Sequence, residues 1–238
     1  MARSESPRCD VALWDLEQTL LNPIRDQLSQ PRHDRTGVLQ ADIGAWRSRR
    51  VAVLSLIETD ALKKALHGFE AAHHPRLTLF VATASAREGA HSLGDVVLAK
   101  RLIEASSEPL VTSTDWMTPT LEKQSSFKLD DVHVGKASPS SDQPALRCRK
   151  QAGAALHAGE TLGVNHGLLA VVSDLEDNSS PELPLPTRWK RPLARESGAL
   201  VGALLHGGLS KLSERKAERK QVHHRLIDSL GQIVEGLP

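Results

Sequence analysis

Apolar and polar positions alternate along the chain in short, punctuated runs. Residues 11–15, Val-Ala-Leu-Trp-Asp, form a continuous apolar stretch closed by an acid, the pattern of a buried strand delivering a carboxylate to its end. Residues 20–30 then read as a helix opening, with Pro23 in its first turn, where no backbone N–H is needed. The stretch 31–50 is polar and mixed. From Thr59, a plausible N-cap, Ala61, Leu62, Ala65, Leu66, Phe69 and Ala72 recur at helical spacing until His73-His74-Pro75 ends the pattern.

A second apolar strand is expected at 77–82, so helix and strand follow each other as in a parallel sheet. Residues 93–105 have a helical pattern, and 109–112 an extended one. The Ser-, Pro- and Asp-rich segment 106–144 predicts loops, with a short hairpin around 132–134. Ala154, Ala155, Leu156, Ala158 and Leu162 make another helical face, stopped by Gly163. The most apolar strand, 168–172, runs directly into the acidic turn Ser-Asp-Leu-Glu-Asp-Asn at 173–178. The last thirty residues form a charged helical pattern with Leu209, Leu212, Val222, Leu226, Leu230 and Ile233 as its apolar positions.

Composition narrows the partners. Thirty basic and twenty-nine acidic side chains leave a formal net charge of +1, so no global field draws the chain to nucleic acid. No apolar run reaches the roughly 20 residues of a membrane span, and charged residues interrupt the amino terminus. Cys9 and Cys148 are the only cysteines; their scarcity fits a reducing compartment, and the expected localisation is cytoplasmic. Tyrosine is absent and phenylalanine occurs three times, so aromatic mass in the core is small.

Three predicted strands end in polar residues: Asp15 with Glu17, Thr83 with Ser85, and Asp174. Open parallel sheets bind ligands beyond the carboxyl ends of their strands, which makes these residues the candidate site. The adjacent pairs His73-His74 and His223-His224 have no neighbouring ligands in sequence and are not read as metal sites. The basic residues of the last helix are interleaved with Glu214, Glu218 and Asp228, without aromatics, which fits a solvated or protein-facing helix better than a nucleic-acid grip.

Four segments, in chain order, resemble the motifs of the haloacid dehalogenase-like (HAD) superfamily, in its phosphoserine-phosphatase-like branch. They are Ala-Leu-Trp-Asp-Leu-Glu-Gln-Thr-Leu-Leu, Leu-Phe-Val-Ala-Thr-Ala-Ser-Ala-Arg-Glu, Arg149-Lys150 before a helix, and Leu-Ala-Val-Val-Ser-Asp-Leu-Glu-Asp-Asn. Glu17 stands where the first motif has its second Asp.

The resemblance implies an α/β fold, a Rossmann-like parallel sheet with flanking helices and a small helical cap. Its core would be residues 10–23 and 59–205, its cap or insertion 24–58, and 206–238 a charged C-terminal helix open to a protein partner. It implies a Mg²⁺-dependent phosphatase acting on a small phosphomonoester through an aspartyl-phosphate. Asp15 would be the nucleophile, Glu17 the general acid/base and Lys150 the charge-balancing cation. Thr83 and Ser85 would bind the phosphoryl oxygens, and Asp15, Asp174, Asp177 and Asn178 would hold the Mg²⁺. Two alternatives share the opening segment. One is a PIN- or NYN-like metal-dependent ribonuclease using Asp95 and Asp115, and the other a catalytically reduced HAD-like binding protein.

Overall fold

The computed structural model describes residues 9–176, apart from positions 37, 47–48, 57–60, 88, 93, 105–107, 113–126, 136–145 and 164. The sheet begins with β1 (Val11–Asp15), whose five side chains are all buried. A one-turn helix, α1 (Asn22–Arg25), follows, and Pro23 lies in its first turn as its fixed φ requires. Three antiparallel strands come next: β2 (Ser29–Thr36), β3 (Leu39–Trp46) and β4 (Arg49–Leu56). Helix α2 (Leu62–His73) leads into β5 (Leu77–Arg87), then β6 (Val96–Ile103), β7 (Leu110–Val111), β8 (Phe127–Val134) and β9 (Leu146–Cys148). Helix α3 (Lys150–Thr161) and β10 (His166–Glu176) complete the described chain.

β1 lies between β4 and β5, parallel to both, and β5 also pairs in parallel with β10 along most of its length. Where β1 ends, β5 takes β9 as an antiparallel neighbour through Ala84, Ser85 and Ala86. β10 pairs with β6, β6 with β8, and β8 with β9, so the strands β5, β10, β6, β8 and β9 close on themselves. β2 is left as an edge, and Pro31, Arg32 and Arg35 on it are the residues that discourage pairing with another chain.

Alternation along the strands splits the core in two. One cluster joins Ala12, Trp14, Leu54, Phe80, Ala82 and Val172 to the inner sides of α2 and α3. The other joins Leu13, Val53, Leu79, Val81, Leu169 and Val171 to Leu20, Leu21 and Ile24 around α1. Trp14 packs edge-on to Phe69 at 6.2 Å and lies 6.3 Å from Phe80, so much of the sparse aromatic content is gathered at one point.

The α/β class expected from sequence holds in its coarse form, as a sheet-dominated core with few helices. The Rossmann-like parallel sheet and the helical cap do not. Residues 29–56 are three strands that extend the sheet. Leu39, Ala41 and Ile43 alternate with the polar Gln40 and Asp42, yet Asp42 is only 1% exposed because it pairs with Arg25 at 2.6 Å and with His33 at 2.5 Å, so β3 is buried on both faces there. The helix expected over 93–105 is strand β6. Val96 and Leu98 face one cluster and Val97 and Ala99 the other, and a run buried on both faces cannot be distinguished from a helix by periodicity. The expected C-terminal helix lies outside the described residues.

Candidate functional site

The turn after β1 is built around Asp15. Its carboxylate is 2% exposed and accepts the backbone N–H of Glu17 on Oδ1 at 3.1 Å and that of Leu21 on Oδ2 at 2.9 Å. Burial pushes its pKa up to about 6 against the opposing pull of those two N–H groups and of Arg25. Both oxygens are therefore committed to holding the chain as it leaves the sheet.

Glu17 is turned the other way, across the end of the sheet. Its Oε1 accepts the Thr83 hydroxyl at 2.7 Å, and its Oε2 lies 3.7 Å from Arg149 Nη1. β5 brings Thr83 there because Thr83 follows Leu79 and Val81 on the face that packs toward α1. Arg149 comes from the junction of β9 and α3, where it is the extended residue preceding the helix. The charge of Glu17 is also felt by the buried Cys148, whose thiol is raised to about 12, chiefly by burial. Such a thiol stays protonated and inert.

Ser85 is next on the same face of β5, with the buried Arg147 of β9 as its register partner on one side. On its other side stands Asp174. The register between β5 and β10 shifts between Val172 and Asp174, so Ser173 is the extra residue of a bulge and its hydroxyl donates to the Ala84 carbonyl at 3.4 Å. Without the bulge, Asp174 would fall opposite Ala86 and face the helices. With it, Asp174 shares the face of Ser85, about 7 Å further along β5 than Thr83. The ladder holds this end in place, since Val172 exchanges backbone hydrogen bonds with Gly94 and Asp95 at 2.9 and 2.8 Å.

Of the residues expected from sequence, Glu17 and Thr83 are in contact, and Ser85 and Asp174 are placed beside them on one face. Lys150 is the first residue of α3 and exposed; its neighbour Arg149 is the cation that meets Glu17. Asp177 and Asn178 lie outside the described residues, as does Asp115. Asp95 is engaged with Lys128 Nζ at 2.6 Å and the Ser92 N–H at 2.8 Å. Sequence reasoning passed over Arg149 as a reacting partner because the basic cluster Arg147-Cys148-Arg149-Lys150 does not reveal which side chain turns inward. A cavity of about 550 Å³ lies elsewhere, between α2 and the β2–β3 hairpin, walled by Asp34, Lys64 and Phe69 among others; none of the strand-end polar residues lines it.

The donor set does not fit the expected Mg²⁺. Among the described residues no three His, Cys, Asp or Glu side chains stand together as a metal site, and both Asp15 oxygens are already hydrogen-bonded inside a buried turn.

The chain shares its fold with solved 5′-methylthioadenosine/S-adenosylhomocysteine (MTA/SAH) nucleosidases. The enzyme from Colwellia psychrerythraea, solved with adenine, superposes with a TM-score of 0.68 at 13% identity, covering 84% of this chain and 96% of its own. That from Neisseria meningitidis, in complex with methylthio-immucillin-A, gives 0.67 at 12% identity over 82% and 97%. The Arabidopsis thaliana 5′-methylthioadenosine nucleosidase in apo form gives 0.61 at 15% over 87% and 96%. No protein-family model and no curated protein matches the sequence.

These superpositions overturn the HAD-like resemblance, and with it the phosphatase reading. Neither the ribonuclease nor the HAD-like binding protein is supported by them. The four motifs were short strand endings in the right order, and a strand closing on a polar residue is common to many α/β sheets. No helix among the described residues is long and apolar enough to cross a membrane.

Proposed function

We propose that the chain is a nucleosidase that hydrolyses the N-glycosidic bond of an adenine nucleoside of the 5′-methylthioadenosine type. The observation that carries this reading is the Glu17 carboxylate held between the Thr83 hydroxyl and Arg149 at the carboxyl ends of β1 and β5. The fold adds weight, because its solved members hold adenine or a methylthio-nucleoside analogue.

Glycosidic hydrolysis needs two carboxyl groups with different tasks, one to activate water and one to protonate the departing group. Glu17 suits the first. One hydroxyl donor and a guanidinium in ion-pair range hold its oxygens, so it is presented as an oriented carboxylate that takes a proton from water as the water oxygen bonds to C1′. The C1′–N9 bond breaks with its electron pair going to the purine. Asp174, on the same face and exposed, supplies the proton that lets adenine leave neutral. Positive charge developing on the sugar during bond breaking is offset by the carboxylate of Glu17.

The test is direct. Purified protein incubated with 5′-methylthioadenosine should release adenine, followed by chromatography, and Glu17→Gln should abolish the release while the variant stays folded. Absence of adenine from the wild-type reaction across 5′-methylthioadenosine, S-adenosylhomocysteine and adenosine would remove the proposal.

A further inference from the structure

Gln18 is one of three non-glycine residues with positive φ among the described residues, at +61°, and it directly follows Glu17. A left-handed conformation costs an L-residue with a long side chain about 1 kcal/mol or more, and glycine or asparagine would adopt it more readily. Strain of this kind persists where the surroundings over-determine it. Here they do. The Gln18 side chain crosses to the neighbouring strand and donates from Nε2 to the carbonyl of Leu56, the last residue of β4, at 2.6 Å.

The turn is thus fastened on both sides of Glu17. Upstream, the Asp15 carboxylate takes the Glu17 N–H, and the Asp15 carbonyl takes the Gln18 N–H at 3.4 Å. Downstream, the left-handed turn at Gln18 reverses the chain, and the side-chain strap to β4 fixes where the reversal occurs. Glu17 lies between these fixtures, and its carboxylate points back over the sheet toward Thr83 on β5. β4 and β5 flank β1 on opposite sides, so the strap and the contact it supports span three strands.

We propose that Gln18 is the positioning residue for Glu17, holding its carboxylate against Thr83 and Arg149 by anchoring the β1–α1 turn to the end of β4. The proposal rests on the nucleosidase reading for its consequence in catalysis, though not for its geometry. A glycine here would relieve the backbone strain and remove the strap together. A folding role alone would therefore leave Gln18→Gly near wild-type stability and rate, whereas a positioning role costs rate at preserved stability.

The experiment has two arms on the full chain. The first compares crystal structures of wild type, Gln18→Gly and Gln18→Asn, the last being compatible with positive φ but one methylene too short to reach Leu56. The expected result is a Glu17 carboxylate displaced from Thr83 in both variants. A Glu17–Thr83 hydrogen bond retained in both overturns the proposal whether or not the protein has activity. The second arm measures adenine release. Gln18→Gly should lower kcat about tenfold to a hundredfold with KM little changed. A kcat for Gln18→Gly equal to that of wild type would overturn the proposal. If wild type releases no adenine, the nucleosidase reading falls, and the crystallographic arm alone decides the role of Gln18.

Discussion

The Thr83 hydroxyl donates to Glu17 Oε1 at 2.7 Å, joining residues 66 positions apart in sequence across the ends of β5 and β1. Replacing the donor removes one of the two groups that orient the carboxylate. Thr83→Val keeps the β-branched shape that the strand favours, so the fold should be retained. The expected outcome is a loss of adenine release of about tenfold, mostly in kcat, measured by steady-state kinetics. An unchanged kcat would mean that Thr83 serves only the strand end.

Asp15 and Glu70 link stability to pH. Burial raises Asp15 to about 6 and Glu70 to about 7, the latter against the pull of the hydrogen bond that Thr78 donates to it at 2.5 Å. In the unfolded chain both titrate near 4. The folded state therefore binds more protons between about pH 4 and these raised values, and the stability they contribute is full below pH 4 and is lost as pH rises through about 6 and 7. Asp15→Asn should flatten the Asp15 share of that decline, about 3 kcal/mol, in urea unfolding curves recorded from pH 4 to 8. A slope identical to wild type would show that Asp15 titrates normally.

The Arg25–Asp42 pair is the largest electrostatic liability near α1. Asp42 is almost wholly buried, and Arg25 reaches it at 2.6 Å while also donating to the Ser55 hydroxyl and to Asn22 Oδ1, both at 2.7 Å. Removing one member leaves the other partly desolvated. Asp42→Ala should cost about 3–5 kcal/mol in thermal or chemical unfolding, far more than the same change at an exposed acid such as Asp26.

Two glycines should respond oppositely to a single methyl group. A Cβ on Gly44 would stand 2.9 Å from the Ser29 carbonyl oxygen and 3.0 Å from Leu28 Cβ, where β3 passes close to the entry of β2. Gly44→Ala should therefore destabilise by about 1–3 kcal/mol. Gly68 lies inside α2 with nothing within 4 Å of its added Cβ, so Gly68→Ala should stabilise by up to about 1 kcal/mol through helix propensity. Melting temperatures of the two variants moving in the same direction would contradict this packing.

Local pattern carried several elements well. The apolar run 11–15, the helical spacing after Thr59, the helix from Lys150 and the strand before Asp174 all depend on neighbours within one turn or one pleat, and each is where periodicity places it. Residues 31–50 are mostly polar and mixed, and nothing local shows that Asp42 is buried, a placement tolerable only when Arg25 and His33 arrive from other elements. β6 carries a helical pattern for a related reason, since both of its faces are buried by residues distant in sequence.

Alternation and strand length are local properties of the chain, and they already set polar residues at the ends of apolar strands at Asp15, Thr83 and Asp174. What those endings do depends on the folded arrangement around them. Asp15 is drawn inward by two backbone N–H groups, and Glu17 is turned outward by the left-handed residue that follows it. A one-residue bulge at Ser173 brings Asp174 onto the face of Thr83 and Ser85, and Arg149 rather than Lys150 meets Glu17. Each outcome depends on strand register and on partners distant in sequence, and a shift of one residue in register exchanges the faces of a sheet. The order of motifs could therefore suggest a phosphatase, while the whole fold superposes on solved MTA/SAH nucleosidases.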